Sequence, residues 1–173
     1  MTERVETAME AVAQLALSRP ADDACMNISV LVVEDDFFQR GTLQQLFDRA
    51  NRANEGSIYF EVRLLESTAE ALSFLRSEGT ARLDLVLLDV VFPGEEMSGR
   101  DLLRHVREAA GERTAIVMMS SVLEPTLVED CIREGADAYL PKPIRAEEVG
   151  LLWQHCVKRG KKLPPQSTSQ PST

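Results

Sequence analysis

Residue types that together handle phosphate fall at the ends of separate apolar runs. Leu83-Asp84-Leu85-Val86-Leu87-Leu88-Asp89 stops on a carboxylate, and Ile28-Ser29-Val30-Leu31-Val32-Val33 stops on Glu34-Asp35-Asp36. Thr114-Ala115-Ile116-Val117-Met118-Met119 stops on Ser120-Ser121, and Asp137-Ala138-Tyr139-Leu140 on Pro141-Lys142-Pro143. Carboxylates about 5 Å apart repel by about 3 kcal/mol per pair at an effective dielectric of about 20. Glu34, Asp35 and Asp89 brought together therefore need a proton or a cation. All-oxygen ligation selects a hard ion, and Mg²⁺, which keeps several waters and takes one or two carboxylates, fits best. Asp35 and Asp89 are the candidate direct ligands, with Glu34 helping through water and the backbone carbonyl of Val91 completing the protein's share.

A cation with open positions beside a carboxylate, a hydroxyl and an ammonium can receive a phosphoryl group. In that arrangement Asp89 is the nucleophile and forms an acyl phosphate. Lys142 and Mg²⁺ offset charge on the transferred group while Ser120 donates a hydrogen bond. Each residue alone has a plainer role, since a strand-end aspartate forms turns and a lone lysine is solvated. It is the conjunction of four strand ends that points to chemistry.

For those ends to meet, the runs must be neighbouring strands of one parallel sheet. Consecutive large apolar residues, such as those before Asp89, cannot alternate inside and outside, so both faces must be covered by helices. Between the runs lie helical patterns: one carrying Phe38, Leu43, Leu46 and Phe47 inward; one opened by a Ser67/Glu70 capping box and ended by Gly79; and one from Gly99 with Leu102, Leu103 and Val106 inward, closed by Gly111. Leu127 to Arg133 and Ala146 to Lys158 complete the set, the last with Val149, Leu152, Trp153 and Cys156 on its apolar side. Ile58 to Leu65 mixes β-branched, aromatic and charged residues and reads as a half-buried edge strand. Five strands alternating with five helices make an α/β, doubly wound fold, for which right-handed crossovers leave two common strand orders, the flavodoxin-like one being expected here. The order 2-1-3-4-5 puts Glu34 and Asp35 beside Asp89, at the switch point where such sheets bind ligands.

The organisation expected is an N-terminal helical extension over 1–27, a domain over 28–160 and a disordered tail over 161–173. Val5, Met9, Val12 and Ala16 give the extension one apolar stripe, which either docks on the domain or meets a second copy or a partner. The tail is Pro, Gln, Ser and Thr with nothing to bury. The net charge of −9 disfavours direct contact with nucleic-acid phosphates. Cys25, Cys131 and Cys156 lack metal-ligand spacing and read as reduced thiols of an intracellular, cytoplasmic protein. Lys158, Arg159, Lys161 and Lys162 suit the last helix's dipole, a nuclear-import patch being the second reading. No run is long enough to span a bilayer and no secretory leader is visible, so no membrane partner is expected. His105 and His155 have surface or packing roles.

From Ile28 to about Arg159 the chain resembles a response-regulator receiver domain (CheY-like). The segments that carry the resemblance are Val30-Leu31-Val32-Val33-Glu34-Asp35-Asp36, Leu87-Leu88-Asp89 with Pro93, Met118-Met119-Ser120, and Gly135-Ala136-Asp137-Ala138-Tyr139-Leu140-Pro141-Lys142-Pro143. Trp153-Gln154-His155 after Ser120-Ser121 is similar to plant and algal response regulators and pseudo-response regulators. The resemblance implies that Asp89 takes phosphate from the phosphohistidine of a histidine kinase or histidine phosphotransfer protein, in a two-component phosphorelay. It also implies that Glu34 and Asp35 hold Mg²⁺, that Ser120 switches toward the phosphate and Lys142 pairs with it, and that Tyr139 is the aromatic switch whose ring turns inward. Glu34 and Ser120 replace a commoner aspartate and threonine, Ser121 stands where a smaller residue is usual, and the loop Gly94-Glu95-Glu96-Met97-Ser98-Gly99 is about two residues longer than usual.

Three functions follow as expectations. The first is a phosphorylation switch, not a turnover enzyme, whose output is contact with a downstream protein or homodimerisation, through the fourth helix–fifth strand–fifth helix face or the N-terminal helix. The second is a phosphorylation-independent pseudo-receiver module, which intact Asp89 and Lys142 argue against. The third, a metal-dependent phosphatase, needs a second acid two residues after Asp89, where Val91 stands. Apolar Val91 and Val122 near the site predict a long-lived acyl phosphate.

Overall fold

The computed structural model describes residues 25–54, 56–77 and 83–163. The expected N-terminal helix, the stop at Gly79 and the tail from 164 onward lie outside the described residues. Strands β1 (Met26–Val33), β2 (Ile58–Leu65), β3 (Leu85–Asp89), β4 (Ala115–Ser120) and β5 (Ala138–Pro141) alternate with helices α1 (Phe37–Ala53), α2 (Thr68–Ser77), α3 (Gly99–Ala110), α4 (Pro125–Arg133), α5 (Ala146–Leu151) and α6 (Trp153–Lys158). All strands are parallel, in the order β2-β1-β3-β4-β5.

Every residue of β3 and β4 is buried, as runs without alternation require. One sheet face packs Ile28, Val30, Val32, Leu85, Leu87, Val117 and Met119 against Leu43 and Phe47 of α1 and against Val149 and Cys156 of α5 and α6. The other packs Leu31, Val33, Val86, Leu88, Ile116 and Met118 against α2, α3 and α4. The period of two along each strand thus feeds two cores, and the sheet is covered on both sides. β2 is half-buried at the edge, with Phe60 turned in on Phe47 at 5.4 Å between ring centroids.

The register places the polar ends. Val33 pairs with Leu88, so Glu34 follows beside Asp89; Asp89 pairs with Met119, and Ser120 with Pro141, just before Lys142. Four strands therefore stop in step along one rim.

The structure departs from the sequence reading in several places. Phe38 is exposed, not inward, as is Phe37 beside it. The buried stripe of α1 is Leu43, Phe47 and Ala50, and Phe38 lies five residues before Leu43, about 140° away around the helix. β1 begins at Met26, two residues earlier than expected, and α4 begins at Pro125, whose missing N–H costs nothing in the first turn. At α2, Ser67 Oγ accepts from Glu70 N–H as expected, while the Glu70 carboxylate accepts from the N–H of Glu66. The single helix expected over Ala146 to Lys158 is split into α5 and α6 by tight turns at Leu152, where Leu152 N–H bonds Val149 C=O and His155 N–H bonds Leu152 C=O. Lys161, placed by sequence in the tail, is fastened to Asp84 at 2.7 Å.

Candidate functional site

Glu34 leaves β1 fully buried. Its Oε1 accepts the N–H of Asp36 at 3.3 Å and its Oε2 accepts Lys142 Nζ at 2.6 Å. The same ammonium donates to Asp89 Oδ2 at 2.5 Å, and Asp89 Oδ1 accepts the N–H of Val91 at 3.2 Å. Asp35 is half-buried, and one carboxylate oxygen from each of Glu34, Asp35 and Asp89 lies within 4.8 Å of the others. Asp36 plays a different part: it caps α1 by accepting the N–H of Gln39 at 2.8 Å.

Burial pushes the Glu34 carboxyl above its ordinary pKa, and the Asp89 charge adds to this, while Lys142 offsets part of it. Burial alone would lower Lys142, yet its bonds to Asp89 and Glu34 outweigh that and hold the ammonium above its usual value. Three carboxylates against one ammonium leave two negative charges in excess when all are ionised. That imbalance, with oxygen donors alone within reach, fits a hard divalent cation. The residues present therefore suit Mg²⁺.

These groups open into a cavity of about 580 Å³ lined by Glu34, Asp35, Asp89, Val91, Ser121 and Lys142 on its polar side, with Leu43, Leu46 and Ile144 among its apolar walls. Ser120 and Tyr139 do not line it. The Ser120 hydroxyl is buried and accepts the N–H of Val122 at 3.0 Å, while Tyr139 Oη donates to the carbonyl of Val122 at 2.6 Å. The two candidate switch residues thus meet through one peptide segment after β4. Burial raises the Tyr139 hydroxyl above its ordinary pKa, keeping it a donor.

Two features of the site escaped the sequence reading. Arg40 donates to the carbonyls of Glu34 at 2.8 Å and Asp35 at 2.6 Å and pairs with Glu66 at 3.1 Å, fixing the backbone from which two acids project. A cation one turn into the helix that follows the acids was the available clue. Gly99 packs against the backbone of Asp89 so closely that a Cβ there would sit 1.7 Å from the Asp89 carbonyl oxygen. Its N–H also donates to the carbonyl of Val90 at 3.0 Å, which closes the loop after Asp89.

Comparison with known proteins agrees with this geometry. Residues 30–151 match the response regulator receiver domain, and the chain belongs to that family. It is 32% identical over 129 residues to the two-component response regulator ORR11 of Oryza sativa subsp. indica, covering 74% of this chain and 80% of ORR11. It is 30% identical over 138 residues to the two-component response regulator ARR8 of Arabidopsis thaliana, covering 75% of this chain. The chain spans about three fifths of the length of the Arabidopsis relatives ARR8 and ARR9. In fold it is similar to a response regulator of Burkholderia pseudomallei solved with a phosphorylated aspartic acid, a calcium ion and citrate. The TM-score there is 0.59 at 21% identity, over 72% of this chain and 65% of that one. Among the described residues no helix is long and apolar enough to cross a membrane.

Proposed function

We propose that Asp89 accepts a phosphoryl group from the phosphohistidine of a histidine kinase or histidine phosphotransfer protein. The observation that supports this is the rim itself: three carboxylates gathered together, two of them bonded to one ammonium, open to a cavity at the carboxyl end of a parallel sheet. An Asp89 carboxylate oxygen forms the new P–O bond as the P–N bond to the donor imidazole breaks, and the departing nitrogen keeps the electron pair. Asp35, Asp89 and the Val91 carbonyl would hold Mg²⁺, with Glu34 acting through water. When bound, the ion stabilises negative charge on the transferred oxygens and relieves repulsion among the acids. Lys142 adds positive charge on the same side.

Acceptance then draws the Ser120 hydroxyl from Val122 toward the phosphoryl, and Tyr139 gives up the Val122 carbonyl as its ring turns inward. The face made by α4, β5 and α5 is the output surface, read by a downstream protein or a second copy. Val91, which stands at the cavity, and nearby Val122 offer no group to position water, so the acyl phosphate is long-lived. The domain occupies 28–160 in this reading. The buried thiols of Cys131 and Cys156, the latter with its pKa pushed up to about 12 by burial, suit a reducing interior, cytoplasmic or nuclear.

Mass spectrometry after incubation with acetyl phosphate tests the proposal. An acid-labile phosphoryl on Asp89 that needs Mg²⁺ and is lost in Asp89→Asn is the expected result. No label in the wild type leaves a pseudo-receiver interaction module instead, and equal labelling of Asp89→Asn assigns the phosphoryl to another residue and overturns the role of Asp89. A half-life of seconds with Mg²⁺ would contradict the claim of a long-lived acyl phosphate.

A further inference from the structure

The loop that follows Asp89 carries Val91 and then runs through Gly94-Glu95-Glu96-Met97-Ser98 before α3, about two residues longer than the sequence resemblance leads one to expect. Extra loop length loosens a backbone unless something re-anchors it, and a backbone carbonyl has no rotamer of its own to place it. The structure supplies an anchor. Glu95 Oε2 accepts the N–H of Thr68 at 2.9 Å and also the Thr68 hydroxyl. Thr68 is the first residue of α2 and is 3% exposed, so both groups would otherwise be polar atoms with little access to water. The carboxylate also sits at the positive end of the helix dipole.

The other side of the same turn reaches the opposite wall of the site. Glu66 pairs with Arg40, and Arg40 holds the carbonyls of Glu34 and Asp35. Glu66-Ser67-Thr68 therefore stands as a strut between the loop that presents Glu34 and Asp35 and the loop that presents Val91. Glu95 spends its Oε2 on Thr68, away from the acid cluster, so its part is to hold the loop and not to join the ligand set.

We infer that Glu95 and Thr68 are positioning residues for the cation: their clamp fixes the distance between the Val91 carbonyl and the acids of β1, and so sets the affinity for Mg²⁺. This rests on the proposed reading of Glu34, Asp35, Asp89 and Val91 as the metal's residues.

The test is an amide chemical-shift titration of the full chain with MgCl₂, beside hydrogen exchange of the metal-free protein over residues 90–98. Thr68→Val and Glu95→Ala should each weaken Mg²⁺ by about tenfold, the loss typical of removing a group that orients a ligand, and should speed exchange in the loop. Thr68→Ser keeps the hydroxyl and should retain wild-type affinity, a rescue that a general loss of stability would not show. Glu95→Ala leaves a half-buried loop position and keeps the test available if Thr68→Val does not fold. Wild-type affinity in both Thr68→Val and Glu95→Ala, even with a lower melting temperature, overturns the inference and reduces the clamp to a helix cap. Absence of Mg²⁺ binding by the wild type overturns the functional reading, and this inference falls with it.

Discussion

At each end of one sheet three acids cluster, and the two clusters are treated in opposite ways. At the amino end, Asp84, Asp137 and Glu112 face Lys161, Arg107 and Arg159, three against three. Asp84 accepts Lys161 at 2.7 Å and the N–H of Ser29 at 3.0 Å. Asp137 accepts Arg107 at 3.2 Å, Arg159 at 2.7 Å and the N–H of Ile116 at 2.8 Å, while Glu112 takes the rest of Arg159 at 2.8 Å. At the carboxyl end, among the described residues, Lys142 alone pairs with Glu34 and Asp89 and no cation pairs with the Asp35 carboxylate, since Arg40 is spent on backbone carbonyls and Glu66. Matched charge fastens elements together, whereas surplus charge of one sign stores repulsion that only a further cation or a proton relieves. The difference in balance, more than the presence of acids, marks the end to which we assign the function.

The sharpest way to break that contrast is to remove one lysine from each end. Lys142→Met strands buried Glu34 and Asp89 without their countercharge and should cost about 3–5 kcal/mol in metal-free protein. Lys161→Met breaks a pair with more access to water, 29% and 22% exposed, and should cost about 1 kcal/mol or less. Mg²⁺ should recover part of the first loss and none of the second. Urea unfolding of each variant in EDTA and in Mg²⁺ checks this, and an equal response of both variants to Mg²⁺ would erase the distinction between the two ends.

A gentler change sharpens the comparison through the backbone. Gly99→Ala drives a methyl into the Asp89 carbonyl and should cost about 1–3 kcal/mol, as overpacking does. It should also slow phosphoryl uptake, because the carboxylate moves with its own peptide. Gly41, exposed in α1 with nothing within 4 Å of an added Cβ, is the control. Gly41→Ala should stabilise by about 0.5–1 kcal/mol through lost chain entropy alone. Thermal melts and phosphoryl labelling of the two variants give opposite signs for the first and an effect at Gly99 alone for the second.

Much of this was written in the sequence because a fully covered strand is a short apolar run and its end is marked by the first polar residue. Right-handed crossovers leave two common strand orders, and the flavodoxin-like one sets Glu34 beside Asp89, as the register of Val33 with Leu88 does. What stayed hidden were contacts that obey no period. Arg40 bonding two carbonyls and Glu95 reaching 27 residues back to Thr68 depend on the paths of loops, and a lone Arg or Glu in sequence reads as solvated. Phe38 failed for a related reason: near a helix start the apolar stripe has too few turns behind it to fix its phase, and the ring faces solvent.

The smallest effect is also the one in which the two kinds of carboxylate should differ in sign. Glu134 of the α4 C-terminus is gripped by Arg100 and Arg104, and those bonds hold its carboxyl down to about 2, against 4.5 in an unfolded chain. A depressed pKa gives stability that is present above 4.5 and is lost as pH falls toward 2, so the deficit of Glu134→Gln should be largest near neutrality and vanish in acid. Glu34 is raised, first by burial and then by Asp89, so its protonated form is the one folding favours. Its contribution is full below 4.5 and is lost as pH rises through the folded value. The deficit of Glu34→Gln, measured in EDTA so that no cation intervenes, should therefore shrink as pH rises where that of Glu134→Gln grows. Unfolding free energies of the two variants from about pH 2 to 8 decide it: parallel curves would mean that Glu34 sits in balanced charge like the acids of the amino end, and opposed slopes would locate the surplus at the rim that Glu34 shares with Asp35 and Asp89.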